Sequence, residues 1–313
     1  MFKRVQQIVG ICFTNHSMVV TALELKGKNK KPVLKNKTAI AIPPDAFQDG
    51  LVLNRDLLTG ILADNVREHG LKGRMAVIGV NPRQAVIKAV VLPPMPEKDL
   101  RKAIEFEMGR YFSITNAAFT IDYLHHITAL NGQANEGEVL AIAIKDSVLE
   151  DLCGMLLEAG LKIKAVDIEP NAFVYLRTYG ASQNIWPDLE ENWAIIDFSY
   201  GKTMIAFYKR NVLQFVHTTP LFYGVDYGLS GDLLQEIDRA FNYYQLSLHY
   251  PPPERVYLWG ELSEQALPFL QEALRYPFLC IPLQELAPAL HDSTKPLLQE
   301  YALALGLVLR EVV

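Results

Sequence analysis

The 313-residue sequence has no uninterrupted apolar run that could span a membrane, which takes about 18–20 residues. Its first residues include two basic side chains but no apolar stretch of signal-peptide length, so no export signal is expected. Cysteine is scarce: the three residues lie far apart, which excludes a disulfide framework and a clustered zinc site. Together these absences predict a protein of the reducing cytoplasm.

An excess of positive charge is missing too. The net charge is -5 and the pI is about 5.8, whereas proteins that bind nucleic acid nonspecifically are basic. We therefore expect no nucleic-acid partner. Basic residues cluster once, at Lys26, Lys28, Lys30, Lys31, Lys35 and Lys37. We interpret this cluster as a solvated hairpin, with a patch for anionic lipid or nucleic acid as the alternative.

Several sequence motifs of enzymes are also absent. Gly201-Lys202-Thr203 looks like the end of a P-loop, but that motif needs a glycine where Ile196 stands and opens a helix. There is no dinucleotide fingerprint, no nucleophile elbow and no H-E-x-x-H metal motif. His125 and His126 are neighbours on a predicted strand, where adjacent side chains point to opposite faces and cannot share one ion. No catalytic residue and no metal site is predicted.

The sequence does contain a repeated order of predicted elements. Each half opens with a strand, a polar turn and two more strands, and continues with alternating helices and strands. The opening segment Ile8–Thr14 is matched locally by Trp193–Ser199. The length allows two cores, since single cores stop growing at about 250–300 residues. We therefore predict an α/β fold built by duplication, with the two polar turns facing each other across a cleft.

A series of segments carries a more specific signal. They are Gly10 to Ser17, Val20–Glu24, Pro43–Gly50, Ala85–Leu92, Pro93–Leu100, Ala103–Glu107, Val166–Ala172, Asp197 with Thr203, Gly260, and Ala304–Arg310. In this order and spacing the chain resembles the PilM family, actin-like cytoplasmic proteins of type IV pilus and related competence or secretion machines. The last segment is the most specific part, and the resemblance covers nearly the whole chain.

The resemblance implies a duplicated actin-like fold of the actin, sugar kinase and Hsp70 superfamily, with two lobes around a cleft. Residues 1–165 are expected to form the first lobe and residues 166–313 the second. A small α+β subdomain is expected as an insertion in the first lobe, at about residues 80–144.

Members of this family bind the short N-terminal tail of PilN, a single-pass membrane protein, in a groove beside the inserted subdomain. The resemblance therefore implies a PilN-like partner and an indirect membrane association, alongside other cytoplasmic pilus or secretion components. A tail peptide could add to a strand edge or lie along a helix, and the sequence leaves both modes open. We expect the groove to be lined by Val86, Ile87, Val90, Ile104 and Met108.

The resemblance also implies a vestigial nucleotide pocket. Its expected residues are Asn15, Ser17, Asp197, Ser199, Gly201, Lys202, Thr203 and Gly260. Cys12 replaces the family's aspartate, and a thiol is a poor substitute for the oxygen ligands of Mg²⁺. Family glycines are replaced by Thr14, Ser199 and Glu261, although phosphate needs close approach of backbone N–H groups. No cofactor, or weakly bound ATP or ADP, is the expectation.

The sequence thus predicts a scaffold of the cytoplasmic face of the inner membrane, with little or no ATPase activity. The alternative is an active ATP-binding and ATP-hydrolysing member of the same superfamily. A third reading, the cytoplasmic domain of a type II secretion component, is disfavoured because no membrane helix follows Val313.

Overall fold

The structure of this chain is a computed structural model. It describes residues 6–27, 31–93, 95–112, 118–126, 137–186, 191–199, 203–219, 231–260, 263–281, 283–290 and 299–313. Within these ranges no helix combines the length and the apolar character needed to cross a membrane.

The first sheet has five strands: β1 (Gln6–Phe13), β2 (Ser17–Lys26), β3 (Lys31–Ala41), β6 (Met75–Val80) and β10 (Lys162–Ile168). Their spatial order is β10-β6-β1-β2-β3. The first three form an antiparallel meander, whereas β6 and β10 run parallel to β1. Parallel neighbours need long crossover connections, and two of these contain α1 (Arg55–Glu68) and α3 (Asp146–Glu158). A short hairpin of β4 (Phe47–Gln48) and β5 (Leu51–Val52) precedes α1.

The second sheet repeats this arrangement. Its strands are β11 (Asn192–Asp197), β12 (Thr203–Lys209), β13 (Val212–Thr219), β14 (Arg255–Trp259) and β15 (Phe278–Cys280), in the order β13-β12-β11-β14-β15. Again three strands are antiparallel, and the last two run parallel to the first. The shared topology confirms the predicted duplication and the actin-like α/β fold.

Helices cover both sheets and fill the space between them. The outer face of the first sheet packs against α1 and α3, and that of the second against α5 (Gly231–Asn242) and α6 (Ser263–Ala273). Between the sheets lie α4 (Glu169–Ser182) and α7 (Ala302–Leu309), which share one apolar core with the inner faces of both. Every residue of α7 is buried, as expected for a helix that is apolar all round.

A small unit is inserted between β6 and α3. It consists of β7 (Ala85–Leu92), α2 (Glu97–Phe112), β8 (Phe119–His126) and β9 (Gly137–Lys145), with an antiparallel sheet in the order β7-β9-β8. The unit begins at Ala85 and ends at Lys145; the resemblance implies an insertion at about residues 80–144. One face of the sheet packs on α2, and the other contributes Ile142 and Ile144 to the core beneath α1 and α3.

Two segments assigned to the second half by sequence lie against the first sheet. The expected boundary between residues 165 and 166 falls within β10, which pairs with β6. The closing helix, expected over 295–312, begins at Ala302 and packs on β1, β2 and β6 as well as on α4; residues 291–298 lie outside the described part. The helix α7 therefore packs against elements of both halves.

Two glycines allow α7 to come this close. A Cβ placed on Gly10 of β1 would lie 2.0 Å from the carbonyl oxygen of Ala304. A Cβ placed on Gly306 would lie 2.3 Å from the carbonyl oxygen of Ala172 in α4. Both obstacles are backbone atoms inside a packed core, which cannot move aside cheaply. The close contacts of α7 with the main chains of β1 and α4 therefore require glycine at positions 10 and 306.

We expect Gly306→Ala to lower the free energy of unfolding by about 1–3 kcal/mol, the usual cost of overpacking a core. Gly109→Ala is the matched control, because Gly109 also lies inside a helix but has no atom within 4 Å of the added Cβ. That control should raise stability by about 0.5–1 kcal/mol through helix propensity. Urea denaturation of both variants checks this; equal effects would contradict the close-packing account.

Candidate nucleotide turns and partner groove

The two polar turns follow the central strands of the two sheets. One lies between β1 and β2 and leads into Ser17; the other begins after β11 at Phe198. In sheets with parallel strands, ligands bind beyond the carboxyl ends of the strands, and both turns occupy such ends. The fold therefore places the predicted turns where a nucleotide site of this architecture would lie.

The first turn is closed by its own threonine. The Thr14 hydroxyl oxygen accepts the backbone N–H of His16 at 3.1 Å and that of Ser17 at 2.8 Å. It also lies 3.0 Å from the Ser17 hydroxyl, and the Thr14 N–H donates to the Ser17 carbonyl at 2.8 Å. Phosphate is held by backbone N–H groups of such turns. Here two of these groups are already bonded inside the turn.

Other residues of the first turn also have structural roles. The Asn15 side chain accepts the N–H of Asp49 at 3.0 Å, which joins the turn to the hairpin before α1. Cys12 is fully buried and belongs to the core between the sheets. The position where the family has an acid therefore carries a side chain that packs in an apolar layer.

The second turn keeps its acid in a buried position. Asp197 is 3% exposed, and its carboxylate accepts the N–H of Ser199 at 2.9 Å. Thr203, where the chain enters β12, is fully buried. Gly201 and Lys202, predicted as pocket residues, and Glu261, predicted as a departure, lie outside the described residues. Their contribution to a nucleotide pocket stays a prediction.

Gly260 is brought directly against this second turn. Its φ is +99°, a left-handed conformation that favours glycine, and an added Cβ would lie 2.6 Å from the carbonyl carbon of Phe198. The Phe198 N–H donates to the Trp259 carbonyl at 2.8 Å. Glycine is therefore required here by main-chain packing alone, whether or not adenosine binds beside it.

One buried acid near the first turn was not predicted as a site residue. Glu169, the first residue of α4, is 3% exposed. A Cβ on Gly79 would lie 3.2 Å from the Cγ of Glu169 and 3.7 Å from the Cβ of Cys12, so the two side chains flank the same glycine. Acidic residues are common in the first turn of helices, so the sequence could have placed Glu169 at the start of α4. Nothing in the sequence indicates that its side chain is buried.

Four of the five residues expected to line the partner groove pack inside the inserted unit. Ile104 and Met108 are fully buried, and Val90 is nearly so. They pack α2 onto the small sheet, together with Val86, whereas Ile87 packs on the core between the large sheets. Ile104, Met108 and Val90 therefore hold the unit together, and a groove open to a partner lies on another surface. The role of Val86 and Ile87 in partner binding stays a prediction.

Such a groove lies between the inserted sheet and the first lobe. It has a volume of ≈ 360 Å³. One wall is the β8–β9 face, with Thr120, Asp122, Leu124, Ile142 and Ile144; the other is formed by Leu149 and Cys153 of α3, the end of β10, α4 and Arg310. About half of the lining side chains are apolar; the polar ones are Thr120 and Asp122 on the β8 wall and a cluster around Asp167 on the opposite wall.

Asp167 organises the polar end of the groove. One carboxylate oxygen accepts the Ile168 N–H at 2.9 Å and the Asn171 amide at 2.7 Å. The other accepts the Tyr175 hydroxyl at 2.9 Å and the Arg310 guanidinium at 3.0 Å. Burial, reinforced by the Asp167 charge, raises the pKa of Tyr175. Two segments singled out separately in the sequence, around Asp167 and ending at Arg310, therefore meet in one wall.

The groove wall also contains a thiol. Cys153 of α3 is half-buried, and burial raises its pKa above the usual range. The thiol therefore stays protonated near neutral pH, which makes it a slow nucleophile.

Comparison with known proteins gives a consistent result. The family model described as "Type IV pilus assembly protein PilM" matches residues 10–224. The structure of a "PilM-PilN type IV pilus biogenesis complex" superposes with a TM-score of 0.80 at 19% identity, covering 99% of this chain and 100% of that one. No curated protein sequence matches.

Two further structures superpose less well. The cytoplasmic domain of EpsL, an inner-membrane component of the type II secretion system of Vibrio cholerae, has a TM-score of 0.46 at 10% identity, covering 93% of this chain and 96% of that one. A Bacteroides thetaiotaomicron protein with an actin-like ATPase fold has a TM-score of 0.47 at 11% identity, with coverages of 88% and 91%.

We expect Thr14→Val to lower the free energy of unfolding by about 0.5–1.5 kcal/mol, because the N–H groups of His16 and Ser17 lose their acceptor. Thr14→Ser keeps the hydroxyl, so its free energy of unfolding should fall by clearly less than that of Thr14→Val. Chemical denaturation of the two variants gives the comparison. If valine is tolerated as well as serine, the hydroxyl does not hold the turn closed.

Proposed function

Since this chain belongs to the PilM family of type IV pilus assembly proteins, we propose that it is a cytoplasmic scaffold that captures the N-terminal tail of a PilN-like membrane protein. The system would be a type IV pilus, competence or secretion assembly platform. The tail would hold the scaffold at the inner membrane, where it also contacts other cytoplasmic components. Its membrane association is then indirect.

The observation that carries this proposal is the groove between the inserted sheet and the first lobe. It combines apolar side chains of β8 and β9, namely Leu124, Ile142 and Ile144, with the polar cluster around Asp167, a mixture typical of sites that bind a ligand in a defined orientation. The structural match over the full chain is to a protein solved together with PilN. A tail peptide is the ligand that these two observations favour.

The proposal includes a degenerate nucleotide site with little or no ATPase activity. Its support is the first turn, where the Thr14 hydroxyl already accepts two backbone N–H groups, and the burial of the Cys12 thiol in the core between the sheets. The alternative is an active ATP-binding member of the superfamily. It is supported by Asp197 and Gly260, which match the family's nucleotide-binding segments.

Tail binding can be tested at one exposed wall residue. Leu124 lies in the groove and is 44% exposed, so a substitution there need not disturb the core. We expect Leu124→Asp to weaken binding of a synthetic PilN tail from the same genome about tenfold or more, because a carboxylate would face an apolar wall. Isothermal titration measures this.

Phe106→Asp is the matched control for Leu124→Asp. Phe106 is 72% exposed on α2, the helix that packs on the opposite face of the inserted sheet. Its substitution should leave the affinity unchanged. Equal losses in both variants, or none in either, would remove the groove as the binding site.

The nucleotide part is tested separately by titrating Mg-ATP into the protein. We expect a dissociation constant above about 1 mM and no phosphate release, because neither the closed turn nor Cys12 offers the groups that hold Mg²⁺ and phosphate. Micromolar binding with phosphate release on a catalytic timescale would support the alternative of an active ATPase.

A further inference from the structure

The strand β8 forms one border of the inserted sheet. Within the described residues the order β7-β9-β8 leaves β9 as the strand that pairs with β8. The same strand contributes Thr120, Asp122 and Leu124 to the wall of the groove. Border strands present main-chain groups that can pair with a further chain. The groove and a strand edge are therefore adjacent parts of one surface.

A side chain caps the middle of β8. The Tyr123 N–H donates to the carboxylate of the preceding residue, Asp122, at 2.9 Å. In an antiparallel pair, alternate residues direct their N–H groups toward the partner strand and away from it. An N–H that donates to a side chain of its own strand is one that points away from β9. Covering such a group with a charged side chain is a common way of protecting a strand edge.

The two faces of β8 have different surroundings. Asp122 and Leu124 are on the groove side, opposite Ile142 and Leu140 of β9. The side chains of Ile121 and Tyr123 pack toward α2 on the other side, and Tyr123 also borders the groove. A chain added beside β8 would direct alternate side chains to these same two sides. Its apolar residues on the groove side would then face the apolar groove wall.

We propose that the groove takes the partner tail as an added fourth strand on β8, with Asp122 giving up the Tyr123 N–H to a carbonyl of the tail. This inference rests on the proposed function and selects strand addition from the two binding modes that the sequence leaves open. The released Asp122 carboxylate becomes available to a basic side chain of the tail. Cytoplasmic segments next to membrane helices are rich in lysine and arginine, so this charge suits the expected partner.

Tyr123→Pro tests the main-chain contact. Proline has no N–H, and border strands tolerate it where the N–H points outward. Tyr123→Ala is the matched control, because it removes the same side chain, including its hydrogen bond to Glu97, but keeps the N–H. By fluorescence anisotropy with a labelled PilN tail from the same genome, we expect about tenfold weaker binding to the proline variant than to the alanine variant.

A second measurement uses the unaltered protein, in case the proline variant does not fold. The tail is synthesised with a single N-methyl group at each position in turn. An added strand loses affinity at alternate positions only, because every second N–H faces β8. Strand addition would be overturned by two results together. The first is that N-methylation weakens binding at every position of the bound segment or at none; the second is that the tail binds the two Tyr123 variants equally. A bound helix or another mode would then replace it.

These outcomes are distinct from failure of the proposed function. If the unmodified tail does not bind the wild-type protein at all, the scaffold proposal fails, and the strand-addition mode with it. If the tail binds and Leu124→Asp weakens it, but neither proline nor N-methylation has the expected effect, the groove stands and only the binding mode is wrong.

Discussion

The rest of the structure depends on the close contact between α7 and the main chains around it. Gly10 and Gly306 let this helix touch the backbones of β1 and α4, and any larger side chain would meet a carbonyl oxygen. Because α4 and α7 fill the space between the two sheets, this contact fixes how the duplicated halves sit against each other. It also holds the end of α7 at the groove, where Arg310 reaches Asp167.

The packing between the sheets has different consequences for the nucleotide turns and for the groove. At the first turn, Cys12 belongs to the core between the sheets, and the Thr14 hydroxyl accepts two N–H groups of the turn that follows. At the groove, the β10–α4 junction presents a carboxylate with its hydrogen bonds complete and leaves apolar wall exposed around it. These differences support the proposal that a partner binds at the inserted unit.

Much of the fold could be predicted from the sequence, because β-branched alternation and family-like segments recur in order along it. The groove could not. Ile104 and Met108 have the helical spacing of an apolar face, and spacing does not distinguish a face that packs on its own sheet from one that binds a partner. The residues that do line the groove come from distant segments, such as Asp167 and Arg310, which only the folded chain brings together. The Thr14 substitution was visible in the sequence, but its hydrogen bonds were not.

The most direct test of the account is the alkylation rate of Cys153 in the wild-type protein, with and without the PilN tail. Cys153 lies in the groove wall, while Cys280 lies in the second sheet and serves as an internal reference. Both thiols have pKa values raised by burial, so labelling is slow enough to follow by mass spectrometry. If the tail binds in the groove, a saturating concentration of it should slow the alkylation of Cys153 and leave the alkylation rate of Cys280 unchanged. An unchanged rate at Cys153 when the tail is bound would contradict binding in the groove.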